Sequence, residues 1–241
     1  MLEAGFWGLV GGLALVIGAV AGVVRDVPAR VIGGVMAFGA GVLISALAFE
    51  LTAEAFDASG GREVVLGLLG GAQAFYLGDR MLDSRGGADR KMSGGQQAGS
   101  AAQGLVLGAL LDGIPESVAI GVSLVDGSTV SVAIVAAVFL SNVPEGMSAA
   151  TGLVKAGRSR RWVLTLWAVV AVVSGLAALL GYVVLGDASA SVLAVIQAFA
   201  AGAILTMLAD TMIPEAYENR GRSVGLITTL GFVLAFLLSQ A

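Results

Sequence analysis

The sequence predicts an all-α integral membrane protein, with eight transmembrane helices in a three-two-three inverted-repeat arrangement and both termini extracytoplasmic. Three observations lead there. The 241 residues are 57% hydrophobic and 12% charged, with a mean hydropathy of +0.94, whereas a soluble domain carries about 25% charged residues. Apolar stretches of bilayer-crossing length recur eight times along the chain. A stretch near the amino end also matches one near the carboxyl end at a constant offset of 161 residues.

The apolar stretches run over 4–24, 31–56, 62–80, 99–124, 130–154, 162–185, 189–217 and 222–241. Each approaches the ~20 residues that a spanning helix needs. Span one follows Met1-Leu2-Glu3 with no basic region ahead of it, which predicts a retained span rather than a cleaved signal. Span three is the shortest, since only Val64 to Gly78 is free of charge; snorkelling by Arg62 and Arg80 would let it cross. Residues 81–98 are polar and glycine-rich and read as a mobile cytoplasmic loop. The 36 glycines mostly lie within apolar runs beside alanine and serine, where small residues let helix backbones approach in lipid. The chain has no cysteine and no histidine, so disulfides, thiolate sites and imidazole ligands are excluded.

Orientation follows from lysine and arginine. The loops after spans one, three, five and seven hold Arg25 and Arg30; Arg80, Arg85, Arg90 and Lys91; Lys155, Arg158, Arg160 and Arg161; and Arg220 and Arg222. Of the 13 basic residues, that leaves only Arg62 on the opposite side. Both termini therefore face away from the cytoplasm, and the expected location is the cytoplasmic (inner) membrane, crossed many times.

The run from Phe38 to Ala48 matches Phe199 to Ala209, and Glu54-Ala55-Phe56-Asp57 falls on Glu215-Ala216-Tyr217-Glu218 in the same register. The shift from one copy to the other is five helices, an odd number, so the two cross the membrane in opposite senses. The whole chain, 1–241, reads as one transmembrane domain. Repeat one covers 1–80, the cytoplasmic loop 81–98, the central pair 99–154 and repeat two 162–241. Such repeats, with broken helices at their interface, mark transporters with midplane binding sites.

Three of the four prolines are each followed by glutamate, at Pro115-Glu116, Pro144-Glu145 and Pro214-Glu215. Proline frees the carbonyl four residues earlier, and a buried carboxylate requires a cation, a proton or water. Asp112 and Glu116 stand four residues apart on one face of span four. Ser141 and Glu145 repeat that spacing in span five, with Asn142 three residues before the glutamate. The freed carbonyls are those of Leu111 and Leu140. No lysine or arginine lies within a span, other than at its ends, to neutralise these acids, so a divalent cation is the expected counterion. Protonated, purely structural carboxylates are the alternative. A second acidic set, Glu50 and Glu54 in span two with Asp210 and Glu215 in span seven, would line a route on either side of the midplane; wetted interfacial glutamates would look the same.

These residues resemble the ZIP (Zrt/Irt-like) family of divalent-metal transporters over essentially the whole chain. The motifs that carry the resemblance are Asp112-Gly113-Ile114-Pro115-Glu116-Ser117, Ser141-Asn142-Val143-Pro144-Glu145-Gly146 and the run from Leu208 to Ala216. The resemblance implies a transporter rather than an enzyme, with metal ligands Asp112, Glu116, Ser141, Asn142 and Glu145. The family pattern has histidine where this chain has Asp112 and asparagine where it has Gly113; its span-six glutamate falls near Ala178, and its histidine-rich loop is absent. Family members can bridge two metals with the paired glutamates, whereas these residues retain one full position. An all-oxygen site moves preference from zinc towards Mn²⁺, Fe²⁺ or Mg²⁺. The substrate is thus a divalent ion (Zn, Mn, Fe or Mg), with no organic cofactor. Expected partners are metal ions and membrane lipid, with no nucleic acid; small faces at Gly33, Gly34 and Gly41 would allow a homodimer.

Three other functions remain to be weighed. The altered motifs also suit a non-transporting metal-binding scaffold or regulator. Titratable carboxylates could conduct protons or monovalent cations. An intramembrane aspartyl protease is disfavoured, because Asp79 adjoins Arg80 at a helix end rather than facing a second aspartate.

Overall fold

The computed structural model describes residues 2–25, 27–84, 86–87, 89–98, 102–125 and 131–239. Arg85, the first residues of span four (99–101), the first of span five (130) and the last two of span eight (240–241) lie outside them. Among the described residues there is helix and no strand. The helices are α1 Leu2–Val24, α2 Ala29–Ala46, α3 Ala53–Ser59, α4 Gly61–Asp83, α5 Ala102–Val122, α6 Val132–Lys155, α7 Arg160–Leu185, α8 Ala190–Met207, α9 Ile213–Arg220 and α10 Val224–Ser239.

Local chemistry fixes where these rods start and stop. Ser131, Ser159 and Ser189 cap α6, α7 and α8, each hydroxyl accepting an amide from three residues on. Gly60 ends α3 and Gly221 ends α9, at φ 89° and 70° with ψ near extended. That backbone region is essentially closed to residues with a Cβ. The helical ladder also widens into a π segment at Leu47–Thr52, between α2 and α3, and at Leu208–Met212, between α8 and α9. The two π segments begin 161 residues apart, and so do the two glycines.

Among the described residues, six stretches are long and apolar enough to cross a membrane: Leu2–Val24, Ala29–Ser59, Gly104–Val122, Val132–Lys155, Arg160–Leu185 and Ala190–Ser239. The last holds two rods, broken at Gly221. Helix α4 is not among them, because Arg62, Glu63, Gln73, Asp79 and Arg80 dilute its apolar content. It nevertheless turns Leu66, Leu69 and Leu77 outward, all more than half exposed. Leu226, Leu230 and Leu237 do the same on α10. An outer surface of leucine with carboxylates inside inverts the soluble pattern and belongs in lipid. The chain is a multi-pass membrane protein.

Helix α1 runs along α6 and α7, α2 packs on α10, and α4 packs on α8. Missing side chains make these crossings close. A Cβ on Gly231 would collide with the Phe38 carbonyl, and one on Gly71 with the Phe199 carbonyl. Phe38 and Phe199 are themselves matched at the 161-residue offset.

Within the stretch expected as a mobile loop, several polar residues are instead packed into the bundle. Arg90, Lys91, Ser93 and Gln97 are all buried. Glycine richness was a misleading sign, since the basic pair within the stretch is drawn to the acids of α5 and α6.

Candidate metal centre

Helix α5 continues through Pro115 and helix α6 through Pro144. The prolines leave the carbonyls at 111 and 140 without their usual amide donors. Beside these weakened turns sit Asp112 and Glu116 on α5 and Ser141, Asn142 and Glu145 on α6, all five at most 4% exposed. The two helices touch little directly. What joins them is the segment after α4.

Arg90 makes a forked pair with Asp112, its Nε 2.8 Å from Oδ2 and its Nη2 3.0 Å from Oδ1. The same Nη2 donates to Asp79 Oδ1 of α4 at 2.6 Å. Burial alone would lower the Arg90 pKa, but Asp112 and Asp79 more than offset it and hold the guanidinium above the usual arginine range. Lys91 Nζ lies 3.4 Å from Asp112 Oδ2 and 3.2 Å from Glu145 Oε2. An ammonium therefore stands between the carboxylates of the two helices. A divalent cation is the expected counterion of these acids; the structure adds Arg90 and Lys91, which reach them from the loop.

The backbone of the segment is held as well. Ser148 Oγ lies 2.7 Å from the Lys91 carbonyl oxygen and 3.1 Å from Glu215 Oε1, sharing one proton between two acceptors. The Ser93 amide donates to the same Glu215 oxygen at 2.8 Å. Gln97 Nε2 donates to the Met92 carbonyl.

Not every polar atom is satisfied. Glu116 is buried, with Asn142, Glu145, Lys91 and Asp112 as its electrostatic neighbours, yet its Oε1 has no hydrogen-bond partner. The Trp167 indole nitrogen is also unpartnered. It borders a gap bounded by Arg90, Lys91, Asp112 and Glu145. Asn142 donates to the Gly11 carbonyl of α1 at 3.0 Å, and Ser141 to Val138 of its own helix at 3.0 Å. Among the described residues, no three acidic side chains are gathered to hold a metal ion in this conformation.

The other acidic residues divide. Glu215 is buried and tied to the loop segment. Its counterpart Glu54 is exposed. Glu50 is half-buried and accepts from Ser131 Oγ at 3.0 Å. Asp210 is exposed and borders a polar cavity with Tyr76, Asp79, Arg80 and Asp83. Burial, then the Asp79 charge, raises the Asp83 pKa.

A family model described as ZIP Zinc transporter matches residues 83–239, well over half of the chain. The chain belongs to the ZIP family. Proteins of this family are transporters of divalent metals, and the chain is not an enzyme. No curated protein matches it. The ZIP match begins at the end of α4, so it contains the loop segment, both central Pro-Glu motifs and Glu215. Sequence reasoning missed Arg90, Lys91, Asp79, Ser93 and Ser148. Ser148 had a signal, standing one helical turn from Glu145 on the same face. So did Arg90-Lys91, an adjacent basic pair in a stretch otherwise rich in glycine.

Proposed function

We propose that this ZIP protein carries divalent cations across the cytoplasmic membrane through a carboxylate site between α5 and α6. One metal binds at a time, with Asp112, Glu116 and Glu145 as ligands and Asn142 and Ser141 supporting. The single observation that carries this reading is Lys91 Nζ, an ammonium lying between Asp112 and Glu145. It supports the reading because a position that holds an ammonium between two carboxylates suits a cation electrostatically. The unpartnered Glu116 Oε1 supports it, because a buried carboxylate oxygen without a donor is costly unless a ligand completes it.

The reading includes eight crossings, both termini extracytoplasmic, and two repeats related by inversion around the central pair. The shared 161-residue spacing of the π segments and of Gly60 and Gly221 supports the repeat. Glu50 and Glu54 at one end, and Asp210 and Glu215 at the other, line the approach. An oxygen-only site favours Mn²⁺, Fe²⁺ or Mg²⁺ over zinc.

The buried Arg90 and Lys91 also favour a second reading, a ZIP-like scaffold that binds metal without moving it. Uptake into proteoliposomes by wild type, Glu116→Ala and Glu145→Ala decides. Transport by wild type that is lost in both variants supports the carrier; metal binding without flux supports the scaffold. Equal uptake by all three removes these ligands from the account.

A further inference from the structure

Arg90 and Lys91 together carry two positive charges, the same as one divalent ion, and they sit among the acids assigned to that ion. Each is only 4% exposed. Burying two cations is unfavourable unless the receiving site is built for them, and here the receiving site is shaped around the segment. Gly108 of α5 lies under the Arg90 side chain, where a Cβ would strike its Cδ. Gly152 of α6 lies under the Met92 carbonyl, where a Cβ would strike that oxygen and come within 2.6 Å of Gln97 Nε2. Ser148 and Glu215 hold the main chain on either side of Met92.

We propose that the segment Asp89–Ser93 is a tethered cationic plug that competes with the transported metal for the carboxylates of α5 and α6. This rests on the metal-site reading above. A divalent ion coordinated by Asp112 and Glu145 would lie against the Lys91 ammonium, and like charges at that range repel strongly at low dielectric. Metal and plug therefore exclude one another. Metal entry displaces Lys91 and Arg90, and departure of the metal lets them return. The returning cations neutralise the emptied acids and close the cytoplasmic side, so the apparent metal affinity is reduced by the fraction of molecules that are plugged.

The test uses the purified full chain in lipid nanodiscs, titrated with Mn²⁺. The double variant Arg90→Gln/Lys91→Gln removes the charges, and Gly152→Ala pushes the segment out without touching either acids or cations. Both should bind Mn²⁺ about tenfold more tightly or better, as expected for a competitor removed. In wild type, saturating Mn²⁺ should accelerate tryptic cleavage after Arg90 and Lys91, a readout that needs no variant to fold. Unchanged or weaker Mn²⁺ binding in both variants, with cleavage indifferent to metal, overturns the plug provided Glu145→Gln still abolishes binding. If Glu145→Gln binds as wild type does, the metal-site reading itself has failed and the plug falls with it.

Discussion

Lys91 Nζ lies 3.2 Å from Glu145 Oε2, and both side chains are almost wholly buried. The ammonium comes from a segment outside the spans, and the carboxylate from the turn after Pro144. Their contact ties the loop between α4 and α5 to the middle of α6. With the Arg90–Asp112 fork beside it, charge balance in the bundle becomes a property of that loop.

Asp112 accepts from Arg90 at two oxygens and lies near Lys91. Asp112→Asn takes from buried Arg90 its forked partner and from buried Lys91 one of its two carboxylates. It should destabilise the protein by about 3–5 kcal/mol, the cost of breaking a buried pair from one side. Thermal unfolding in detergent, compared with wild type, checks this.

Neighbouring glycines on α4 should respond differently to the same change. A Cβ on Gly71 would overlap the Phe199 carbonyl, whereas one on Gly70 would sit 3.6 Å from the Phe199 ring, an ordinary contact. Gly71→Ala should cost about 1–3 kcal/mol through overpacking, and Gly70→Ala should be close to neutral. The same unfolding assay separates them.

Gly60 and Gly221 hold comparable backbone conformations at the ends of α3 and α9. Substituting alanine at either should cost about 1–3 kcal/mol. Similar losses in the two variants are expected if these turns are equivalent parts of a repeat.

The oxygen-only ligand set predicts that wild type takes up Mn²⁺ in preference to Zn²⁺. Asp112→His introduces an imidazole and should move preference towards zinc. Competition between the two ions in proteoliposome uptake measures the shift.

Membrane character was legible in composition, and the helices were legible in the spacing of apolar runs. The buried carboxylates Asp112, Glu116 and Glu145 were legible because proline and glutamate are both costly at membrane depth, so their adjacency carries information. The loop was not. Glycine and polar residues at 86–98 have the composition of a flexible linker, and nothing local shows that Arg90 and Lys91 are drawn across to another helix. A contact between residues 22 positions apart, as between Arg90 and Asp112, depends on tertiary packing. The π segments were equally hidden, since a widened helical turn has no distinct residue pattern. The difference between exposed Glu54 and buried Glu215 was hidden too, since the contacts of Glu215 with Ser93 and Ser148 form only in the folded bundle.

Anomalous diffraction from crystals soaked in Mn²⁺ tests the central claim most directly. The account predicts one Mn²⁺ peak within coordination distance of Glu116 and Glu145, with Lys91 withdrawn from between Asp112 and Glu145. A peak elsewhere in the bundle, with the Lys91–Glu145 contact intact in protein that transports the metal, would contradict it.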